Sequence, residues 1–253
     1  MVEIPDYKLI RKLQNDTMII RNNIPLLSKI PPIFKKINSK KIDLPKDFSK
    51  TALTLEDAIC NRRSWRRFSG SVNLKQISSL LLHSVGFRGF SDDFEFGITQ
   101  LRSVPSAGSR HPIELYLLLQ NVEGLDDGVY HYEVETHQLS LVSGKKLQSW
   151  QLRKIVGGQK EFVDANVILI MTTMFQRAVC KYGPRGFRLM YLDAGHIGQN
   201  VYLMTEALGL GACAMGGWGD EAEMEKLLQL NTDEELILYV MAIGKKLPDK
   251  ANI

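Results

Sequence analysis

The stretch AVCKYGPRGFRLM, residues 178–190, sets Lys181 beside Tyr182 and breaks at once with Gly183 and Pro184. Arg185 and Arg188 then flank a further glycine. An amine and a phenol in adjacent positions can take a proton from a bound molecule or pass one between them. A lysine serves as a base only where burial or neighbouring positive charge lowers its pKa, and Arg185 and Arg188 are candidates for that charge. Tyr182 could instead be the base, as a phenolate stabilised by Lys181, or a relay. A solvated lysine beside a packed tyrosine is the alternative reading of the same two residues.

Three other strings carry chemistry. NRRSWRRF (61–68) offers Arg62, Arg63, Ser64 and Arg66 at the end of a predicted helix, a set suited to charge-assisted hydrogen bonds to a phosphate. A basic helix end that complements the macrodipole accounts for it equally well. RSVPSAGSRHPIE (102–114) places the small residues Ser106, Ala107 and Gly108 between two prolines, where backbone can approach a flat or anionic ligand. It lacks the Gly-Lys-Ser/Thr of a Walker loop, and no GxGxxG occurs in the chain. LGLGACAMGGWG (208–219) ends in Gly216 and Gly217, whose bare N–H groups suit an acceptor on a ring system or, alternatively, a tight turn. His111 and His196 read as structural: neither has a second ligand at metal spacing.

Composition narrows the classes. The 253 residues, 44% hydrophobic and 24% charged, are enough for a real core. A net charge of +4 suits an anionic ligand but is too weak, without a basic and aromatic stripe, to indicate nucleic acid. Cys60, Cys180 and Cys213 form no CxxC pair, so neither a disulfide framework nor a zinc site is expected, and a reducing cytoplasm is the natural setting. The first residues contain acids and no apolar core, unlike a signal peptide, and no apolar run reaches membrane-spanning length.

Periodicity supplies the elements that must position these strings. Residues 1–50 mix four prolines after residue 20 with many lysines and read as an arm that packs extended on something, such as a partner subunit, or as a disordered tail. Residues 51–253 form the main domain. Leu55, Ala58 and Ile59 recur at helical spacing behind Thr54, an N-cap candidate with Asp57 three residues on. NLKQISSLLLHSVG predicts a second helix closed by Gly86, and RLMYLDAGHIGQNVYLMTEALGLG a long one closed by Gly209. Its small residues Ala194, Gly195 and Gly198 imply close packing in a core or an interface. IELYLLLQNV and ANVILIMTTMF read as buried strands, GVYHYEVETHQLSLVS as a hairpin and EELILYVMAIGKK as a last strand. Helices and strands mix without strict alternation, so an α+β fold is expected.

Taken together, in this order and over roughly Leu53–Lys246, the strings resemble the FMN-dependent nitroreductase-like superfamily. VPSAGSRHPIELYLLL and GVYHYEVETHQLSLV are similar to its branch of SagB-type dehydrogenases. KYGPRGFR is similar to the Lys-Tyr-x-x-Arg-Gly-aromatic-Arg string of the azoline dehydrogenases that make thiazoles and oxazoles in ribosomal peptides. The resemblance implies a central mainly antiparallel sheet flanked by helices, in an intertwined homodimer with two FMN sites at its interface. Carried over residue by residue, it puts Arg62, Arg63, Ser64 and Arg66 on the phosphate and polar ring atoms. Ser106, Ala107 and Gly108 fall beside the isoalloxazine, with Gln199 also on the cofactor. Gly216 and Gly217 fall near N5, and Lys245 stands for the basic residue near the phosphate. Lys181 and Tyr182 become the catalytic pair, Arg185 and Arg188 substrate contacts, and no metal is implied.

The resemblance also implies a peptide substrate and a cyclodehydratase or synthetase complex as partner. Aromatising an azoline removes a proton beside a carbonyl and a hydride from the next ring carbon, which calls for a flavin and a base together. Two readings stay open beside it: an NAD(P)H-dependent reductase of nitroaromatics or quinones, and a flavin-free scaffold that binds a peptide or synthetase.

Overall fold

The structure, a computed structural model, describes residues 7–18, 31–48, 51–93, 97–217 and 219–247. In chain order its elements are α1 (Lys8–Asp16), β1 (Lys41–Asp43), α2 (Leu55–Asn61), β2 (Val72–Asn73), α3 (Leu74–Val85), β3 (Phe87–Asp93), β4 (Gly97–Arg102), β5 (Ile113–Leu119) and β6 (Val122–Glu123). There follow β7 (Gly128–Glu133), β8 (Gln138–Ser143), α4 (Ser149–Ile155), β9 (Val167–Met174), α5 (Phe175–Tyr182), α6 (Gly186–Ala207), β10 (Leu210–Met215), α7 (Glu221–Leu228) and β11 (Glu235–Lys245).

Seven strands form the main sheet in the order β1-β8-β7-β5-β9-β11-β10, with every neighbouring pair antiparallel. The fold is thus α+β with an antiparallel central sheet, as expected. The apolar runs of β5 and β9 are continuous because both faces of the sheet are covered. Val167, Leu169 and Met171 join one core with α3 and α6, while Ile168 and Ile170 join a second core with α4 and α7. Successive side chains of a strand point to opposite faces, so two cores demand apolar residues at every position.

Helix starts follow their caps. Thr54 accepts the Asp57 N–H ahead of α2, and a capping box of Asn73 and Gln76 opens α3. The long helix begins at Gly186, two residues earlier than the periodicity indicates, and ends at Ala207. Gly198 lets it lie close on the sheet: a Cβ there would stand 2.8 Å from the Tyr239 ring. The β3–β4 hairpin has no counterpart in the sequence expectations.

The described residues 31–48 of the arm pack on the chain's own main sheet and on the β3–β4 hairpin. Residues 41–43 add an edge strand to β8, and Leu44 is buried. Phe34 lies edge-on to Phe87 and Phe90, and Lys35 Nζ donates to Tyr116 Oη at 2.6 Å and to the Glu235 carboxylate. Residues 1–6, 19–30 and 49–50 of the arm lie outside the described residues. No helix among the described residues is long and apolar enough to cross a membrane.

Candidate active site

The basic string leaves α2 at Asn61 and runs along the outer side of β10. Ser64 bridges Ala212 in parallel, and the Trp65 N–H donates to the Ala212 carbonyl at 2.8 Å. Phe68 then pairs with Lys246, and the Ser69 N–H donates to the Lys245 carbonyl, so the string also meets the end of β11. Trp65 fixes this path. Its side chain packs where a Cβ on Gly211 would stand 2.7 Å away, and its ring faces the Arg63 guanidinium at 4.8 Å and Lys246 Nζ at 5.5 Å.

Tyr202 of α6 organises the other side. Its Oη accepts the Ala214 N–H at 2.7 Å and lies 3.3 Å from Ser64 Oγ, while the Arg62 guanidinium sits 5.2 Å over its ring. Arg62 and Ser64 are half-buried here, and Arg63 and Arg66 are exposed. The Lys245 side chain lies against Gly70, its Cδ 3.1 Å from the Cβ position, whereas Lys246 pairs with Glu206 at 2.9 Å. Guanidinium and hydroxyl donors on one strand edge fit a phosphate group.

The second cluster forms where β4 turns into β5. Ser106 Oγ donates to Asp193 Oδ2 at 2.5 Å, the Ala107 N–H donates to Asp193 Oδ1 at 3.3 Å, and the His111 N–H donates to Ser106 Oγ at 2.8 Å. Gly108, Ser109 and His111 all have positive φ, at 56°, 52° and 42°. Arg110 Nε donates to the Gly108 carbonyl at 3.0 Å. Burial, and next the Arg102 guanidinium, pull His111 down to about 3, so the ring is neutral at ordinary pH.

Lys181 and Tyr182 close α5 against this loop. Tyr182 Oη lies 2.6 Å, and Lys181 Cδ and Cε 2.9 and 3.1 Å, from the point a Cβ on Gly108 would occupy. Both residues are half-buried. Gly183 has the positive φ of 53° that stops the helix, and Pro184 and Arg185 complete a single 3-10 turn into α6. Gly186 allows the two helices to meet: a Cβ there would stand 2.9 Å from the Ala178 carbonyl carbon.

Four residues from Lys181, buried Arg177 anchors α5. Its Nη1 donates to Glu114 Oε1 at 2.6 Å and to the His111 carbonyl at 3.2 Å, and its Nε donates to the Pro32 carbonyl of the arm at 2.8 Å. Burial alone would raise Glu114, but Arg177, His131 and Arg102 together hold it down at about 2. The structure therefore brings Ser106, Ala107, Gly108, Lys181 and Tyr182 together, with Arg185 in the adjoining turn.

The remaining residues singled out in the sequence sit apart. Arg188 reaches the C-terminal end of α1, where its Nε donates to Thr17 Oγ1 at 2.7 Å and its Nη2 to the Gln14 carbonyl. Gln199 lies on the exposed side of α6. Gly216 and Gly217 form an exposed turn after β10, with no described atom within 4 Å of either Cβ position, and Trp218 is outside the described residues. Among the described residues no group of three or more His, Cys, Asp or Glu could hold a metal ion.

Helix α6 joins the two clusters. Asp193 meets the Ser-Ala-Gly loop and Tyr202 meets the basic string nine residues on, a span of about 13.5 Å along the axis. Asp193, Tyr202 and Arg177 were not singled out by residue pattern. Asp193 carried one available signal, as an acid beside the small residues of a helix that packs in the core.

Residues 59–245 match the model of the nitroreductase family. A protein of Methanocaldococcus jannaschii described as a nitroreductase is 32% identical over 77% of this chain and 92% of its own length. The trifolitoxin-processing protein TfxB of Rhizobium leguminosarum bv. trifolii is 30% identical over 72% of this chain, and the microcin B17-processing protein McbC of Escherichia coli 30% over 59%. The matches span only 51% and 56% of those two proteins.

Among solved structures, a nitroreductase from Anabaena variabilis superposes with a TM-score of 0.75 at 23% identity, covering 98% of this chain and 49% of that one. A chain of the E. coli microcin synthetase complex McbBCD, solved with truncated pro-MccB17 bound, gives a TM-score of 0.62 at 25% identity, covering 98% and 84%. A nitroreductase from Exiguobacterium sibiricum solved in complex with FMN gives 0.55 at 10% identity, covering 79% and 91%, a likeness of fold.

Proposed function

Because the chain belongs to the nitroreductase family, an oxidoreductase superfamily, we propose that it is an FMN-dependent dehydrogenase. Its reaction is the oxidation of thiazoline or oxazoline rings to thiazole or oxazole in a ribosomally synthesised peptide. The observation that carries this reading is the packing of Lys181 and Tyr182 onto Gly108 of the Ser-Ala-Gly loop. A surface decoration would have no reason to fill the space that a glycine leaves open. The similarity to two peptide-processing proteins supports the substrate class, and the likeness to a chain of a synthetase complex supports a cyclodehydratase or synthetase partner.

The donor chemistry fits FMN. Arg62, Arg63, Ser64, Arg66 and Lys245 would hold its phosphate and polar atoms, while Ser106, Ala107, Gly108, Gln199, Gly216 and Gly217 would line its ring. When bound, FMN supplies the acceptor for the hydride leaving the azoline. The chain's own task is the proton on the carbon beside the carbonyl, which is taken at Tyr182 Oη or Lys181 Nζ. The loss of that proton with the hydride leaves the aromatic ring two hydrogens lighter. Arg185, in the turn after Tyr182, and Arg188 would meet the peptide, Arg188 only by exchanging its contacts with α1.

A homodimer completes the reading. Phe187, Tyr191 and Leu192 on α6 are 38%, 48% and 60% exposed, and Leu55 and Ile59 on α2 are 62% and 54% exposed, apolar side chains suited to contact with a second copy. The M. jannaschii relative, matched over nearly its whole length, favours one second reading, an NAD(P)H-dependent reductase of nitroaromatics or quinones. The visible spectrum of the purified protein, followed by a search for a loss of about two daltons from an azoline peptide, separates them. Flavin bleached by NAD(P)H with no change in the peptide supports the second reading. A colourless protein defeats both.

A further inference from the structure

The Ser-Ala-Gly loop is an improbable conformation for the chain to hold unaided. Three of the four residues 108–111 have positive φ, and two of them, Ser109 and His111, are not glycine. Such residues are strained and persist only where surrounding structure over-determines them. That support comes from α6. Asp193 is 4% exposed, and both of its carboxylate oxygens are spent on the loop, one on the Ser106 hydroxyl and one on the Ala107 N–H. Ser106 Oγ passes the constraint on by accepting the His111 N–H, so one carboxylate fixes both ends of the segment from residue 106 to residue 111. In the middle stands Gly108, against which Lys181 and Tyr182 pack.

From this geometry we infer that Asp193 is a positioning residue, whose carboxylate clamps the Ser106–His111 loop at the height that seats Lys181 and Tyr182 for proton abstraction. The catalytic half of this inference rests on the dehydrogenase reading; the clamp itself does not. The Ser106 hydroxyl donates to one carboxylate oxygen and the Ala107 N–H to the other. An asparagine can accept the Ala107 N–H on its Oδ1 and donate its NH2 to the turned Ser106 hydroxyl, which has a lone pair beside the one facing His111, so the isosteric D193N holds the loop and D193A releases it. A misplacement of the pair by about 1 Å is enough to cost on the order of 100-fold in turnover, with peptide binding untouched.

The test compares wild type with D193N, D193A, S106A and the D193A/S106A double variant. Amide hydrogen exchange at Ala107 and His111, measured without added flavin, reads the clamp directly. The expected result is exchange at least tenfold faster in D193A at both amides and in S106A at His111, with protection in β9 unchanged. With FMN saturating, D193A and S106A should each lower kcat for azoline-peptide oxidation tenfold to 100-fold with KM within twofold. The double variant should lose less than the two single losses combined, since both residues act in one chain of hydrogen bonds. Unchanged exchange in D193A and S106A overturns the clamp. Wild-type kcat in D193A, a loss in D193N as deep as that in D193A, a loss confined to KM, or additive losses in the double variant overturn the positioning role. Wild-type protein inert on azoline peptides overturns the dehydrogenase reading and the catalytic half with it, while the exchange result still decides the clamp. S106A alters only a half-buried loop residue, so the comparison survives if D193A does not fold.

Discussion

Tyr182 and Gly108 share one space: the tyrosine Oη lies 2.6 Å from where a Cβ on Gly108 would stand. Gly108 cannot gain a side chain without moving Tyr182, and Lys181 is caught in the same contact. G108A should therefore push the pair aside and strain a backbone whose φ is 56°. A fall in kcat of at least tenfold is expected, with a stability loss of about 1–2 kcal/mol. Steady-state kinetics beside thermal melting checks both, and wild-type turnover in G108A would show that the pair does not need this seat.

Arg177 ties α5 to β5 and to the arm through Glu114, the His111 carbonyl and the Pro32 carbonyl. R177M leaves Glu114 charged, buried and short of its main partner. The expected cost is about 3–5 kcal/mol in chemical denaturation, with part recovered in the R177M/E114Q double variant. Equal losses in the single and double variants would contradict the pairing.

His111 gives the protein a pH signature. Its folded value of about 3 lies below the ordinary 6.5, so between these values the unfolded chain holds a proton that the folded chain does not. The stability it contributes is complete above pH 6.5 and falls by up to about 1.4 kcal/mol per pH unit as the pH drops toward 3. H111N tolerates the positive φ and does not titrate. Denaturation midpoints across this window should flatten in H111N relative to wild type; parallel curves would exclude His111 as the source.

The exposed apolar face of α2 and α6 predicts self-association. Placing a carboxylate among these exposed apolar residues in L192E should weaken the dimer by ~100-fold, read by sedimentation equilibrium. Loss of bound flavin in step with dissociation would mark sites shared between two copies. An unaffected dimer would place the interface elsewhere.

Much of the frame was legible because local signals agreed with the fold. Thr54 caps α2 as its spacing to Asp57 indicates, and β7 and β8 pair around the turn read from the hairpin pattern. Gly89, Gly97 and the acids at 92 and 93 broke the alternation of β3 and β4, so that hairpin left no readable period. Of the site, the residue types were visible and their meetings were not. Ser106 finds Asp193 across 87 positions and Arg188 finds Thr17 across 171, distances over which periodicity carries no information. Arg188 shows the consequence. Its place in KYGPRGFR suggests a substrate contact and gives no sign that its guanidinium also closes the C-terminal end of α1, where a cation complements the helix dipole.

The measurement that bears most directly on the central claim is the mass of an azoline peptide after incubation with FMN-loaded wild type, K181A and Y182F. Flavin content is read from the same samples. A loss of about two daltons is expected with wild type and none with either variant, while all three retain stoichiometric FMN. Turnover by both variants at the wild-type rate would contradict it, because the pair seated on Gly108 would then have no part in taking the proton.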